Sequence, residues 1–184
     1  NDMGIESKLD PYLPTAIGAS SATLLELTTA YTVFANNGKY IEPYLIEKIK
    51  DKENNSWRRE KVPDKIILSE EVARDMLVLL RSAVAYGTAK KAKELIQPVA
   101  GKTGTTDDFK DAWFIGFTPD YTIGVWIGYD LPQKIGNRLS GAVIALPVFM
   151  EMIDEIYKYK PINPFQSNVE ERVQNLIPRP GPQE

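Results

Sequence analysis

The 184-residue sequence contains neither cysteine nor histidine. Without cysteine there is no disulfide framework, no thiolate metal site and no cysteine nucleophile, and the redox compartment is left open. Without histidine a serine–histidine–aspartate triad cannot be assembled within the chain, and zinc loses its commonest ligand. Acid–base chemistry is therefore left to lysine, tyrosine and carboxylates. A strong charge of either sign is also missing: 22 basic against 25 acidic residues leave a formal charge of -3. Such a balance gives no broad cationic field, so nucleic acid and anionic membrane surfaces are not the expected partners, although the face of one site can still be positive. No apolar run reaches the length that spans a bilayer, and residues 1–10 do not read as a signal peptide.

What is present suits one globular core. Thr23 and Glu26 have the spacing of a capping box, with Leu24, Leu27, Tyr31 and Phe34 at helical spacing, and Asn37-Gly38 ends this first helix. Residues 43–50 and 57–60 read as short strands joined by the polar stretch 51–56, a surface hairpin. A second helix starts at Ser69, with Glu70 and Glu71 in its first turn and Val72, Met76, Leu79, Leu80 and Ala83 on its predicted apolar face. Residues 98–105 read as a border strand, and 111–117 with 121–129 as a hairpin turning at Thr118-Pro119-Asp120. In its second strand Ile123, Val125, Ile127 and Tyr129 share one face, while Gly124, Trp126 and Gly128 share the other, where two glycines let a helix approach closely. The last helix lies within 140–160 and starts in earnest at Pro147, with Phe149, Met150, Ile153 and Tyr157 inward. The order predicts an α+β (α/β class) domain, an antiparallel central sheet with helices packed on its faces, over residues 1–160. Residues 161–184 are proline-rich and aperiodic and read as a tail or linker.

The chemistry concentrates in Ala100-Gly101-Lys102-Thr103-Gly104-Thr105-Thr106. A phosphate-binding loop fails on spacing, because Ile96 stands where the first glycine is required, and Thr-Asp-Asp-Phe-Lys-Asp occupies the place where a helix would have to open. Read as a strand, the stretch puts Thr103 and Thr105 on one side and Lys102 with Gly104 on the other. Two hydroxyls can each donate to one oxygen of a carboxylate, and a nearby ammonium makes such bonds charge-assisted. Gly104 removes bulk where another backbone must approach, and a strand at a sheet edge can pair with an extended peptide. Taken alone, Lys102 reads as a solvated edge lysine rather than a binding residue.

Around this stretch the sequence resembles the transpeptidase domain of class A penicillin-binding proteins. The resemblance rests on Lys102-Thr103-Gly104-Thr105, Asp111-Ala112-Trp113-Phe114 and Gly124-Val125-Trp126-Ile127-Gly128-Tyr129-Asp130. It extends to Ala16-Ile17-Gly18-Ala19-Ser20, Leu25-Glu26-Leu27 and Phe34-Ala35-Asn36-Asn37-Gly38, in family order over most of residues 4–157. Of the three family motifs only Lys-Thr-Gly is here: no serine has a lysine three positions on or an asparagine two positions on. The missing Ser-x-x-Lys and Ser-x-Asn precede this segment in the family, so their absence is expected to reflect truncation, cleavage or a separate chain.

The resemblance implies a DD-peptidase/β-lactamase-like fold present as a partial domain and an extracytoplasmic location, with any membrane anchor upstream. It implies peptidoglycan stem peptides, β-lactams and the N-terminal half of the domain as partners, and no metal or other cofactor. Lys102 would add positive charge and join the proton network of the active-site serines. Thr103 and Thr105 would hold the substrate carboxylate beside Gly104, and the Thr105 amide would be one oxyanion donor. The chain is expected to be inactive alone and a serine-type DD-transpeptidase when completed. A non-catalytic peptide-binding module and a related serine hydrolase or β-lactamase are the alternatives. Trp113 and Trp126 read as core or helix contacts, Asp107, Asp108 and Asp111 as a solvated turn rather than metal ligands, and Lys90-Lys91-Ala92-Lys93 as exposed surface. Tyr86-Gly87-Thr88-Ala89 resembles the family's Gly-Thr-Ala segment and reads as a structural turn.

Overall fold

The computed structural model describes residues 2–165 and 168–176. Its helices are α1 (Leu24–Ala35), α2 (Glu70–Ala85), α3 (Leu146–Tyr157) and α4 (Val169–Asn175), and its strands β1 (Lys39–Tyr40), β2 (Lys48–Lys50), β3 (Ser56–Arg58), β4 (Lys65–Ile66), β5 (Ala100–Thr105), β6 (Asp111–Phe117) and β7 (Thr122–Gly128). The central sheet is antiparallel in the order β5-β6-β7, with Phe114 opposite both Thr103 and Val125. Two small strand pairs, β1 with β4 and β2 with β3, lie outside it. This is the antiparallel sheet with helices on its faces that the element order predicts.

The pleat decides which helix meets which face. Ala112, Phe114 and Gly116 point to one side, where Phe114 meets Phe149 of α3 edge-on at 4.7 Å and a Cβ on Gly116 would come within 2.9 Å of the Phe149 ring. Ile123 and Ile127 pack on the same cluster. On the opposite face α1 presses onto Gly124, where an added Cβ would sit 2.1 Å from the Thr28 hydroxyl. The glycine-bearing face is therefore the one that admits a helix at close range, as its composition predicts.

The capping box at Thr23 forms as expected, each partner bonding the other's backbone amide. The inward face of the second helix differs from expectation, that of the first only in part. In α1 the fully buried residues are Thr29, Ala30 and Val33, while Tyr31 and Phe34 of the predicted stripe pack half-buried on the core formed with α2 and α4. In α2 the buried stripe is Ala73, Leu77, Leu80 and Val84, with Val78 and Ala85, whereas Val72 and Leu79 stay 46% and 55% exposed. Two adjacent stripes of similar apolarity compete on this helix, and the position of the sheet chooses between them.

The hairpin of β2 and β3 is shorter than expected and all six of its strand residues are exposed; its turn is fixed by Asp51 accepting from Asn55 N and Nδ2 at 2.8 and 2.7 Å, and its open end by Arg59 N donating to Glu47 O at 2.9 Å. The last helix also starts earlier than Pro147 suggests: Gly141–Ala145 forms a π-helical turn that runs straight into α3. Within the stretch read as tail, α4 is a packed helix whose Val169 and Val173 are buried against Leu77, Leu80 and Phe117. Two valines four apart are too short a signal to rise above the prolines around them. The proline-rich end at 177–184 lies outside the described residues.

Candidate functional site

The residues singled out in the sequence lie together on β5, and β5 is an edge strand: β6 is its only hydrogen-bonded neighbour among the described residues. Backbone alternation fixes what this edge offers. Thr106 N donates to Asp111 O at 3.2 Å, so residue 106 faces β6, as do Gly104 and Lys102. The N–H and C=O groups of Thr103 and Thr105 therefore point away from the sheet. Lys102 takes the same direction, folding its ammonium onto the outward carbonyl of Thr103 at 2.9 Å. No carboxylate among the described residues pairs with it.

Both threonine hydroxyls are held from behind. The Gly141 amide donates to Thr105 Oγ1 at 3.1 Å. That oxygen accepts, so its own hydrogen remains to be given elsewhere. Thr103 Oγ1 lies 2.6 Å from Thr88 Oγ1, where one hydroxyl donates and the other keeps its proton. Lys102 and Thr105 are exposed, Thr103 and Gly104 half-buried. The edge thus carries an ammonium, two alcohols able to donate and a free amide within four residues. Such groups can chemically receive a carboxylate, and the N–H beside them can stabilise a developing oxyanion.

Close packing at the glycines builds this arrangement. A Cβ on Gly141 would stand 2.2 Å from the Trp113 carbonyl oxygen and 2.5 Å from that of Gly104, so the turn that opens α3 rests directly on β5 and β6. Beyond Thr105 the chain reverses through Asp108 and Phe109, both with positive φ, and Phe109 O accepts from Ile135 N at 2.9 Å. Asp111 closes the reversal, accepting from Trp126 Nε1 at 2.8 Å and Thr106 Oγ1 at 3.2 Å, while its own amide donates to Thr106 Oγ1 at 2.8 Å. Trp113 and Trp126, opposite one another on β6 and β7, lie with ring centroids 6.0 Å apart. Two surface depressions, one lined by Tyr12 and Ser20 and the other by Ile41 and Tyr44, lie away from β5.

Sequence reasoning missed Thr88 and Gly141 as partners of the two threonines. Thr88 was legible only as part of a turn, and Gly141 carries no side chain that could have signalled a hydrogen bond. The lysine run beside Thr88 forms a single 3₁₀ turn, Lys90–Glu94, with Ala92 buried and the Lys93 ammonium 4.5 Å over the Tyr86 ring.

A family model described as the penicillin binding protein transpeptidase domain matches residues 5–153. The chain is 42% identical over 172 residues to penicillin-binding protein 1A of Aquifex aeolicus, covering 93% of this chain and 24% of that protein. It is 33% identical over 186 residues to penicillin-binding protein 1A of Rickettsia conorii, covering 89% of this chain and 24% of the relative. It spans about a quarter of the length of these curated relatives. Its fold is similar to the crystal structure of penicillin-binding protein 1A from Haemophilus influenzae, with TM-score 0.76 and 26% identity over 83% of this chain and 29% of that one. The PonA1 protein of Mycobacterium tuberculosis in complex with penicillin V shares the fold, with TM-score 0.72 at 20% identity over 90% of this chain and 50% of the other.

Proposed function

The chain belongs to the penicillin-binding protein transpeptidase family, and on that premise we propose that it supplies the Lys-Thr-Gly wall of a peptidoglycan DD-transpeptidase whose nucleophilic serine lies in the segment preceding it in the family. The observation that carries this reading is the free edge of β5. There Lys102 from one face of the strand and Thr103 and Thr105 from the other border an edge whose outward amides are unpaired by the sheet.

In this scheme the absent serine's Oγ attacks the carbonyl of the penultimate D-alanine of a stem peptide. Its proton leaves through the lysine and serine groups at the site, and the terminal D-alanine departs with a proton on its amine. The acyl group then passes to an amine of a neighbouring stem, and the serine regains its proton. Lys102 attracts the anionic end of the donor peptide and stabilises charge in the proton network. Thr103 and Thr105 each donate to one oxygen of the terminal carboxylate. The Thr105 N–H meets the oxyanion of the tetrahedral intermediate, a role that typically lowers the barrier by about 3 kcal/mol. Gly104 adds no side chain between the two threonines, and its lack of one also lets β5 lie close on β6, an added Cβ there meeting Trp113 Cβ at 3.1 Å.

A β-lactam presents the same carboxylate and acylates the same serine. The penicillin V complex of PonA1 supports this for the fold, and the match to the family supports it for this chain. Completion by the N-terminal half is supported by the second apolar stripe of α2, whose Val72 and Leu79 stand in solvent here. The extracytoplasmic setting is the one the family implies, and no helix among the described residues is long and apolar enough to cross a membrane.

Fluorescent penicillin tests the reading. Mixed with the segment that carries Ser-x-x-Lys, the wild-type chain supports covalent labelling of that segment while staying unlabelled itself, alone or in the complex. Lys102→Ala lowers the acylation rate by roughly a hundredfold or more. Unchanged acylation in Lys102→Ala would overturn the role of the edge, and no labelling of any complex would turn the assignment to a peptide-binding module.

A further inference from the structure

We propose that Thr88 is a positioning residue for carboxylate recognition: its hydroxyl donates to Thr103 and so commits the Thr103 proton to the ligand. The inference rests on the function proposed above and names a further residue for that site.

Thr88 sits in the turn between α2 and β5, outside the Lys-Thr-Gly strand. Its backbone is held by bonds on both sides: Gly87 N and Ala89 N both donate to Ala83 O, at 3.1 and 3.2 Å, and Lys90 N donates to Gly87 O at 3.3 Å. A Cβ on Gly87 would lie 2.8 Å from Ala83 O, so the chain can turn this tightly only over glycine. Ala89 is wholly buried and pins the turn to the core. The outcome is one side chain presented to β5, with Thr88 Oγ1 2.6 Å from Thr103 Oγ1.

A pair of hydroxyls has two possible directions. With Thr103 donating to Thr88, an incoming anion would meet oxygen lone pairs. With Thr88 donating, Thr103 turns its hydrogen to the anion, and the chain of bonds is polarised along its length. Thr105 has no such choice, because its partner, the Gly141 amide, can only donate. Thr88 therefore does for Thr103 what the backbone does for Thr105, and both alcohols face one carboxylate as donors. Thr88 is exposed, so burial does not demand a partner for its hydroxyl, and the contact has little to contribute to the fold.

The test compares acylation of the reassembled domain by a carboxylate-bearing penicillin and by its methyl ester, in wild type, Thr88→Val, Thr88→Ser and Thr103→Val. Thr88→Val is expected to slow the carboxylate ligand about tenfold, the effect of one hydrogen bond to a charged group, and the ester by no more than about twofold. Thr88→Ser restores the rate, and Thr88→Val adds nothing to Thr103→Val. Thermal melting of each variant alongside separates site from fold, and Thr88→Ala replaces Thr88→Val should the second methyl not fit. Equal slowing on both ligands, no slowing on either, additivity with Thr103→Val or failure of serine to rescue would each overturn the role of Thr88. A wild-type complex that penicillin never acylates would overturn the transpeptidase reading itself, and this proposal with it.

Discussion

The two ends of the central sheet handle polar groups in opposite ways. At the Thr105 end, the Thr105 hydroxyl accepts from the Gly141 amide and keeps its proton to give away, the Thr88–Thr103 hydroxyl pair has one proton left over from its mutual bond, and the Thr103 and Thr105 amides face out. At the Thr118 end every such group is answered within the protein. The wholly buried Thr118 Oγ1 accepts from the amides of Asp120 and Tyr121 at 3.2 and 3.1 Å and lies 2.7 Å from the Tyr157 hydroxyl. Tyr157 donates to Asp120 Oδ2 at 2.7 Å, and Asn163 Nδ2 donates to both Asp120 oxygens at 2.9 and 3.1 Å. Threonines stand at both ends, so residue type does not mark the site. What marks it is unspent donor capacity on a strand edge, against a closed circuit that locks a hairpin to the end of a helix.

Gly141 is where this contrast is most easily broken. Gly141→Ala would place a methyl into the carbonyl oxygens of Trp113 and Gly104, which are backbone and cannot swing aside. The start of α3 must then lift from β5, at a cost of about 3 kcal/mol or more in stability by the overpacking scale. The same shift draws the Gly141 amide away from Thr105. Chemical denaturation of the reassembled domain should show the loss, and penicillin acylation should fall with it. A variant of wild-type stability that acylates normally would mean that the threonine is not held in place by this amide.

Tyr157→Phe is the matching cut at the closed end. It removes one hydroxyl from Thr118 and Asp120 and should destabilise by about 1 kcal/mol, with penicillin acylation unchanged. Burial is the main reason that the Tyr157 phenol is pushed up to about 12, with its bond to Asp120 adding to the shift and its bond to Thr118 opposing it. The folded state favours the neutral phenol, so this contribution is complete below the ordinary tyrosine value near 10 and is lost as pH rises towards 12. Denaturation midpoints of the two proteins should converge over that alkaline range. A gap of constant size would show that the phenol is not held neutral.

How far the sequence carries can be judged from the same residues. The order of elements, the capping box at Thr23, the helix-facing Gly124 of β7 and the edge position of Lys102 to Thr105 can all be read from period, spacing and turn chemistry, which act locally. The buried stripe of α2 cannot, because Val72-Met76-Leu79 and Ala73-Leu77-Leu80 are both good helical faces and only the sheet selects one. Nor can α4, whose two buried valines gain meaning only from the α2 surface they meet. At the site the donors were legible and their supports were not. Thr88 is 15 residues from Thr103 and Gly141 is 36 from Thr105, and no local pattern links such pairs.

Glu26 tests whether closure, rather than burial, is what separates the two kinds of polar site, because its circuit is closed at the surface. Its carboxylate accepts from Glu6 N and Ser7 N at 2.9 and 2.7 Å, from the Ser7 hydroxyl at 2.6 Å and from Thr23 N at 2.7 Å. The Ser7 hydroxyl, then the backbone amides of Thr23 and Ser7, lower its pKa from the ordinary 4.5 to about 2. The folded arrangement favours the ionised form, so its contribution is whole above pH 4.5 and is lost as pH falls towards 2. The effect is local: the segment around Glu6 and Ser7 should come away from the start of α1 in acid while the sheet stays intact. Amide exchange at Glu6 and Ser7 reads this directly when wild type is compared with Glu26→Gln at each pH. Faster exchange in the variant is expected near neutrality, with the difference vanishing as pH approaches about 2. Equal exchange at neutral pH would show that a satisfied carboxylate at the surface holds nothing, and would leave burial as the property that makes the Tyr157 circuit structural.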